Sequence, residues 1–275
     1  MSQTATELAR VKQLEPVAGI TANDRYYFGY QYGLGTSYIV PYLRSKGVPF
    51  AGKSLCEIGC GEGGVLAALA DEGASYSLGI DIRQEAIDRA KIIFNALDIP
   101  SDFKIHDVTN EATPPEWREK FDFVTLRDVM EHLDDTVGSL RNVMEFMRPG
   151  AYLYVVFPPY YSPYGGHQHA LNNLWGKLPF IQFLPDALFK PLISSGRSLD
   201  IDEVTRLRDI RLTIDKFRDA VSTVGLQLVD EELFFLRPVF KLKFGLPALK
   251  VNALKHVPFL REVGALEASY LLRKV

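Results

Sequence analysis

Three short runs of this chain carry residue types that do chemistry. The first is Glu57-Ile58-Gly59-Cys60-Gly61-Glu62-Gly63-Gly64, where glycines alternate behind an apolar stretch and one acid stands two places ahead of them. Glycine admits sharp turns and close approach of a ligand to the main chain, so this run reads as a binding loop. The second is a pair of carboxylates, Asp81 and Asp107, each closing a short apolar run. The third is Tyr160-Tyr161-Ser162-Pro163-Tyr164-Gly165-Gly166-His167-Gln168-His169, phenols and imidazoles gathered around a glycine pair. Such a loop suits proton transfer at a bound hydroxyl. His132, in Glu131-His132-Leu133, is a further candidate base.

Regular patterning over residues 53–150 supplies the frame for these runs. Strands are expected at 54–60, 76–81, 102–107, 121–126 and 151–157. Between them, sets such as Ala86, Ile87, Ala90, Ile93, Phe94 and Leu97 recur at helical spacing. Strand and helix in alternation imply parallel βαβ units and a doubly wound, mostly parallel α/β sheet covered on both faces. Ligands of such sheets bind outside the carboxyl ends of the strands, where the glycine run, Asp81 and Asp107 all fall. A helix at 213–224 and strands at 226–236 and 268–273 bring the sheet to seven strands. The chain has 275 residues, 47% of them hydrophobic, enough for one large domain over 1–275. Within it, an aromatic helical lid segment is expected at 1–50 and cap insertions at 158–210 and 238–261.

Gly59, Gly61 and Gly64 also fit the Gly-x-Gly-x-x-Gly dinucleotide fingerprint. On either reading Asp81 holds ribose hydroxyls. Glu57 separates the two, because a carboxylate there suits a cationic amino group and would repel a pyrophosphate. Asp107, in His106-Asp107-Val108, is placed to accept from an adenine amino group. Together with the exit of the fourth strand, Arg127-Asp128-Val129-Met130-Glu131-His132-Leu133, these runs resemble the class I S-adenosylmethionine-dependent methyltransferases. In style they are closest to the small-molecule branch that includes ubiquinone- and menaquinone-type enzymes. The resemblance covers residues 53–157, and the helix at 213–224 with the last two strands matches that Rossmann-like fold's ending, with an antiparallel last strand. It implies S-adenosylmethionine as cofactor, lying along Glu57, Gly59, Cys60, Gly61 and Gly63. It further implies Asp81 on the ribose, Ile82 on the adenine face, and Asp107 with Val108 at the adenine edge. A nicotinamide oxidoreductase and a donor-binding module without turnover are the competing readings.

Methyl transfer needs in-line alignment and, for a hydroxyl acceptor, a base. Oxygen is the expected nucleophile, with nitrogen and carbon open. His167 is the first choice of base, then His132 and His169; against these stand packing at a helix start and capping within a surface loop. A metal would need His167, His169 and an acid such as Asp128, and without a clear third ligand none is expected. Arg127 either binds the donor carboxylate or an acidic acceptor group, or pairs with Asp128 or Glu131 to hold the turn. Tyr160, Tyr161, Tyr164 and Tyr30 are expected on the acceptor, with Tyr26, Tyr27 and Tyr30 closing from the N-terminal side; simple aromatic packing is the alternative. Pro158-Pro159-Tyr160 mimics a motif of base-modifying DNA enzymes, but it follows the fifth strand rather than the fourth. With a net charge of −3 and no basic stripe near the site, nucleic acid is not expected as a partner.

The caps are apolar in their own ways. Residues 178–193 include Phe180, Phe183, Leu184, Leu188 and Phe189, a wall for a hydrophobic or lipid-linked small-molecule substrate or a homodimer surface. Between Glu232 and Glu262 no acid occurs, while Arg237, Lys241, Lys243, Lys250, Lys255 and Arg261 alternate with apolar residues. Basic heads over an apolar face suit peripheral membrane contact. The preferred, plainer reading is a crossover packed on the domain. Neither a leader-like N-terminus nor a run of about 18 apolar residues is found, so a cytoplasmic protein without a transmembrane span is expected. Cys56 and Cys60, ~13 Å apart in extended chain, are expected to be reduced and buried.

Overall fold

The helices ahead of the sheet owe their ends to local sequence. The computed structural model describes residues 5–275, so the first four positions of the expected lid segment lie outside the described residues. α1 (Ala5–Gln13) is followed by α2 (Ala22–Leu34), which starts in a capping box. There the Asp24 N–H donates to Thr21 Oγ1 at 3.2 Å and the Thr21 N–H to Asp24 Oδ2 at 2.8 Å. α2 runs through a π-helical stretch, Gly35–Ile39, into α3 (Val40–Ser45). The glycines that interrupt the helical pattern here are contact points. A Cβ on Gly35 would stand 2.4 Å from Ala68 Cβ, and one on Gly29 2.9 Å from Val11.

The alternating frame follows as β1 (Ser54–Ile58), α4 (Gly64–Ala70), β2 (Tyr76–Asp81), α5 (Gln84–Ala96), β3 (Asp102–Ile105), β4 (Phe121–Arg127), α6 (Thr136–Phe146) and β5 (Met147–Phe157). α7 (Asp186–Ile193) and α8 (Ser198–Ile210) lie in the first cap. α9 (Ile214–Val224) and β6 (Gln227–Leu236) return to the sheet. α10 (Val239–Phe244), β7 (Leu249–Lys250) and α11 (Pro258–Gly264) then lead to β8 (Glu267–Arg273). Among the described residues the strand order is β3-β2-β1-β4-β5-β8-β6-β7. The first five strands are mutually parallel, and β8 runs antiparallel between β5 and β6. The expected seven strands become eight because the two-residue β7 pairs with the outer edge of β6. β5 also begins ahead of its expected start, since Met147 already pairs with Phe121 before Pro149-Gly150 shifts the register.

Both faces of the sheet are covered. On one, α6 and α9 pack over Leu140, Val143, Phe157 and Phe217, where the Phe217 and Tyr270 ring centroids lie 4.7 Å apart. On the other, α2 to α5 bury Phe28, Leu43, Leu66 and Phe94. Each fully buried side chain of this size contributes about 1.5–3 kcal/mol of transfer free energy. The helix α8 was not expected. It forms because Val204 buries with Leu171, Ile181, Phe189 and Ile193 in a separate small core inside the cap. Cys56 and Cys60 are buried and free. No helix of the described residues is long and apolar enough to cross a membrane.

Candidate active site

The chain leaves β1 through three left-handed glycines, with φ of 71° at Gly59, 53° at Gly61 and 78° at Gly63. Packing fixes two of them, since a Cβ on Gly59 would meet Val129 at 2.3 Å and one on Gly63 the Phe94 ring at 2.5 Å. Gly61 faces open space, where a ligand can reach the main chain. The loop is tied to β2: the Gly59 and Cys60 N–H groups donate to Ile80 O at 2.7 and 3.0 Å, and the Gly61 N–H to Asp81 Oδ2 at 3.0 Å. Asp81 Oδ1 accepts from the Arg83 backbone N–H at 3.0 Å. Asp81 therefore sets the floor of the cleft as well as standing where ribose is expected.

Two expected donor contacts face elsewhere. Glu57 is buried, and its Oε2 accepts from the Leu66 N–H at 2.9 Å, in the first turn of α4. Burial pushes its carboxyl up to about 8, against that bond and the Arg127 charge. It braces the helix and is absent from the cleft lining among the described residues. The Cys60 side chain also points inward, toward β2, where a Cβ on Gly79 would lie 2.9 Å from its Sγ. Only its main chain belongs to the loop.

Two cavities share Gly59, Arg83 and Asp128. One, of about 460 Å³, runs past Asp81, Asp107, Val108 and His132, with Ile82 65% exposed on its wall. Its outer side is closed by Glu203 and Arg206 of α8. Asp107 is held by the Thr109 N–H and Asn110 Nδ2, both at 2.8 Å. The other, of about 490 Å³, is polar and lined by Asp24, Gln31, Glu62, Arg89 and Arg127.

A third cavity, of about 370 Å³, meets the second at Tyr30, Arg127 and Asp128. Tyr164, His167 and His169 line it from the loop, and Arg237, Phe240, Lys243 and Phe244 from the second insert. Tyr160 and Tyr161 are not in its wall. Tyr160 is buried against Tyr161 at 5.2 Å between centroids, and Tyr161 packs on Phe183 at 5.1 Å, so both serve the cap. Asp128, with φ of 55°, is the hub of all three cavities. Arg127 pairs with it at 3.1 Å and Arg237 at 2.5 Å, while Arg237 reaches Glu267 at 2.8 Å. Against the cost of burial, these guanidinium groups hold the Asp128 carboxyl well below the usual range.

Behind the hub lies a titratable cluster. His132 Nδ1 donates to Glu203 Oε1 at 2.6 Å. The Glu131 side chain is 3% exposed, and neither of its carboxylate oxygens has a hydrogen-bond partner. Its Oε1 is 3.7 Å from His132 Nε2 and 3.8 Å from His167 Nε2. Burial pushes Glu131 up to about 7, the His132 charge pulling against it. Burial pushes His167 down to about 3, with His132 and His169 adding to the effect. For His132, burial opposes the charge but the Glu203 bond outweighs it, and the pKa rises. The metal set of His167, His169 and Asp128 does not assemble among the described residues. Glu131, His132 and His167 instead offer ligand atoms within 4.8 Å of one another, and these would be the ligands of a divalent cation.

A family model described as a methyltransferase domain matches residues 30–187, more than half of the chain. The chain belongs to the methyltransferase family. Within this methyltransferase, the matched region carries the glycine loop, Asp81, Asp107, the Asp128 hub and the histidine loop, while α8 and the second insert lie beyond it. The ubiquinone biosynthesis O-methyltransferase of Pseudomonas entomophila is 31% identical over 107 residues, 39% of this chain and 45% of the relative. That of Vibrio vulnificus is 30% identical over 114 residues, 41% and 47%. The chain thus matches less than half the length of these curated relatives. Among solved structures, an S-adenosylmethionine-dependent methyltransferase from Mesorhizobium loti superposes with a TM-score of 0.53 at 16% identity, covering 85% of this chain and 96% of that one. Geranyl diphosphate C-methyltransferase from Streptomyces coelicolor gives 0.56 at 13%, covering 87% and 77%. These likenesses establish the fold.

Glu203, Arg206, Arg237 and Lys243 escaped the sequence reading as site residues. Their partners lie far along the chain, Arg206 to Asp134 across 72 residues and Arg237 to Asp128 across 109, and no local period marks such pairs. Glu131 did carry a signal, as part of the strand-exit motif beside His132.

Proposed function

We propose that the protein transfers the methyl group of S-adenosylmethionine to an oxygen of a small hydrophobic or lipid-linked acceptor. The observation that carries this reading is the junction at Arg127 and Asp128, where a glycine-lined cleft opens into an apolar cavity bearing His167. The residues present fit the donor. Gly61 leaves open space beside its main chain, Ile82 offers an exposed apolar face, and Asp81 and Asp107 line the cleft. Arg127 is the partner we assign to the donor carboxylate. When bound, S-adenosylmethionine supplies an electrophilic methyl group on a sulfonium.

The chain's own residues do the rest. Tyr30 and Tyr164 position the acceptor in the cavity. As the acceptor oxygen takes the methyl, its proton passes to the neutral imidazole of His167. Glu131, 3.8 Å away, balances the imidazolium charge, and Glu203 keeps His132 oriented behind it. His169 lies at the cavity mouth, and burial with the nearby Arg237 and Lys243 charges keeps it neutral. The reading is metal-free, so chelators should leave turnover unchanged.

The lipid-linked acceptor is supported by exposed apolar side chains of the second insert, Phe244 in the cavity wall and Leu246 and Leu249 after it in the chain. The plainer reading of the second insert is also supported. Lys250 pairs with Glu232, Lys255 donates to Glu231 O, and Arg261 pairs with Asp215, so these basic heads are used within the fold. Vesicle co-sedimentation at low salt tests membrane contact, and size-exclusion chromatography tests a homodimer. A cytoplasmic location belongs to the same proposal. The function itself is tested by incubating protein and donor with a metabolite panel. A product heavier by one methylene supports it; tight binding of S-adenosylhomocysteine with no product from any acceptor favours a donor-binding module.

A further inference from the structure

We infer that the acceptor is an amphipathic monoanion, its carboxylate seated against Lys243 and its apolar body lying on Phe240 and Phe244. This rests on reading the third cavity as the acceptor site. The charges on its wall do not close. Arg127 and Arg237 are answered by Asp128 and Glu267. Lys243 is not: among the described residues no carboxylate pairs with it, and its ammonium instead lies 4.1 Å above the Tyr30 ring. That cation–π contact holds the charge at the cavity without neutralising it. Lys250 and Lys255 of the same insert are instead tied to Glu232 and to Glu231 O.

The field in the cavity has the sign this arrangement predicts. Burial lowers the Lys243 pKa, and the Arg237 and Arg127 charges lower it further, outweighing the Asp128 carboxylate that both guanidinium groups already hold. A half-buried cation crowded by two others, with no counter-ion of its own, is relieved when a ligand brings one negative charge. One unmatched cation calls for one charge, which favours a carboxylate over a doubly charged phosphate monoester. Pro158, Val239, Phe240, Phe244 and Leu266 make an apolar stretch of the wall beside Lys243, opposite the Tyr164, His167 and His169 side, so the ligand's body must be apolar where it lies on them.

The test uses the full chain saturated with S-adenosylhomocysteine at neutral pH, titrated calorimetrically with 3-phenylpropanoate, 3-phenylpropanamide and phenyl phosphate. The carboxylate should bind about tenfold or more tightly than its amide, as a charge-assisted contact at a half-buried site allows. Lys243→Met should bring that ratio near one, and Lys243→Arg should keep most of it. Equal affinities for carboxylate and amide, absence of binding included, overturn the inference. So does a preference that survives Lys243→Met, or tighter binding of phenyl phosphate than of the carboxylate. S-adenosylhomocysteine is titrated first on every variant, which also reports on folding. Failure there sinks the methyl-transfer reading; success there without an anion preference sinks this inference alone.

Discussion

Phe123 in β4 and Phe183 in the first cap are the same side chain in opposite circumstances. Phe123 is fully buried against Phe50 at 5.6 Å, whereas Phe183 is 45% exposed and leans on Tyr161 and Phe180. The difference extends to the regions around them. The donor half is a double-sided apolar core that fixes the glycine loop to within a methyl group's tolerance. The first cap has only a small core of its own and is fastened to the donor half by charge, through Glu203 to His132 and Arg206 to Asp134, while Arg237 to Asp128 fastens the entry to the second insert. On the function proposed above, the apolar half would bind the donor and the ion-paired half would shape the acceptor cavity.

The sharpest way to break this comparison is to empty both regions in turn. Phe123→Ala should cost about 3–5 kcal/mol of stability by denaturant unfolding, because a buried ring leaves a cavity. Phe183→Ala should cost less than about 1 kcal/mol. Comparable losses would mean that the cap shares the main core.

The next pair separates the two functions. His167→Ala should lower turnover about a hundredfold or more with donor affinity retained, as loss of a general base does. Near-normal turnover would remove His167 from the mechanism. Asp81→Ala should do the reverse first, weakening S-adenosylhomocysteine binding by about 1–3 kcal/mol. Unchanged affinity there would place the donor elsewhere.

Titration of Glu131 sharpens the boundary between the halves. Its carboxyl, facing His132, His167 and Asp128 with Glu203 behind, is raised to about 7 and must be ionised to balance a protonated His167. Turnover should therefore fall about tenfold per pH unit below 7, and Glu131→Gln should flatten that limb while lowering the plateau. The stability sign is opposite. A carboxyl raised on folding destabilises as pH climbs from its unfolded value near 4.5 through about 7, so Glu131→Gln should be more stable than the parent at pH 8 and equal to it near pH 4. Thermal unfolding at the two pH values checks this. The smallest effect is expected at the outer fastening. Arg206→Ala should cost about 0–1 kcal/mol, and added salt should speed hydrogen exchange in α8 more than in β1 or β4.

The same contrast explains what was legible in the sequence. The donor half writes itself in apolar periodicity, so β1 to β5, their helices, the glycine loop and Asp81 can be read from spacing alone. Glu57 misleads because an acid two places before a glycine carries no mark of whether it faces a ligand or a helix N-terminus. Tyr160 and Tyr161 mislead similarly, since an aromatic run does not reveal which rings turn toward a cavity. The second insert looks like a basic, apolar surface until Glu231, Glu232 and Asp215 arrive from distant strands and helices to pair with it. α8 lies beyond legibility for a related reason, its apolar partners being gathered from irregular loop rather than from a neighbouring element.

The central claim is that the glycine cleft binds the methyl donor. Isothermal titration of the whole chain with S-adenosylhomocysteine, and separately with NAD, tests it most directly. Saturable, roughly micromolar binding of the first is expected, on the order of −8 kcal/mol, and none of the second. Binding of NAD without binding of S-adenosylhomocysteine would contradict it.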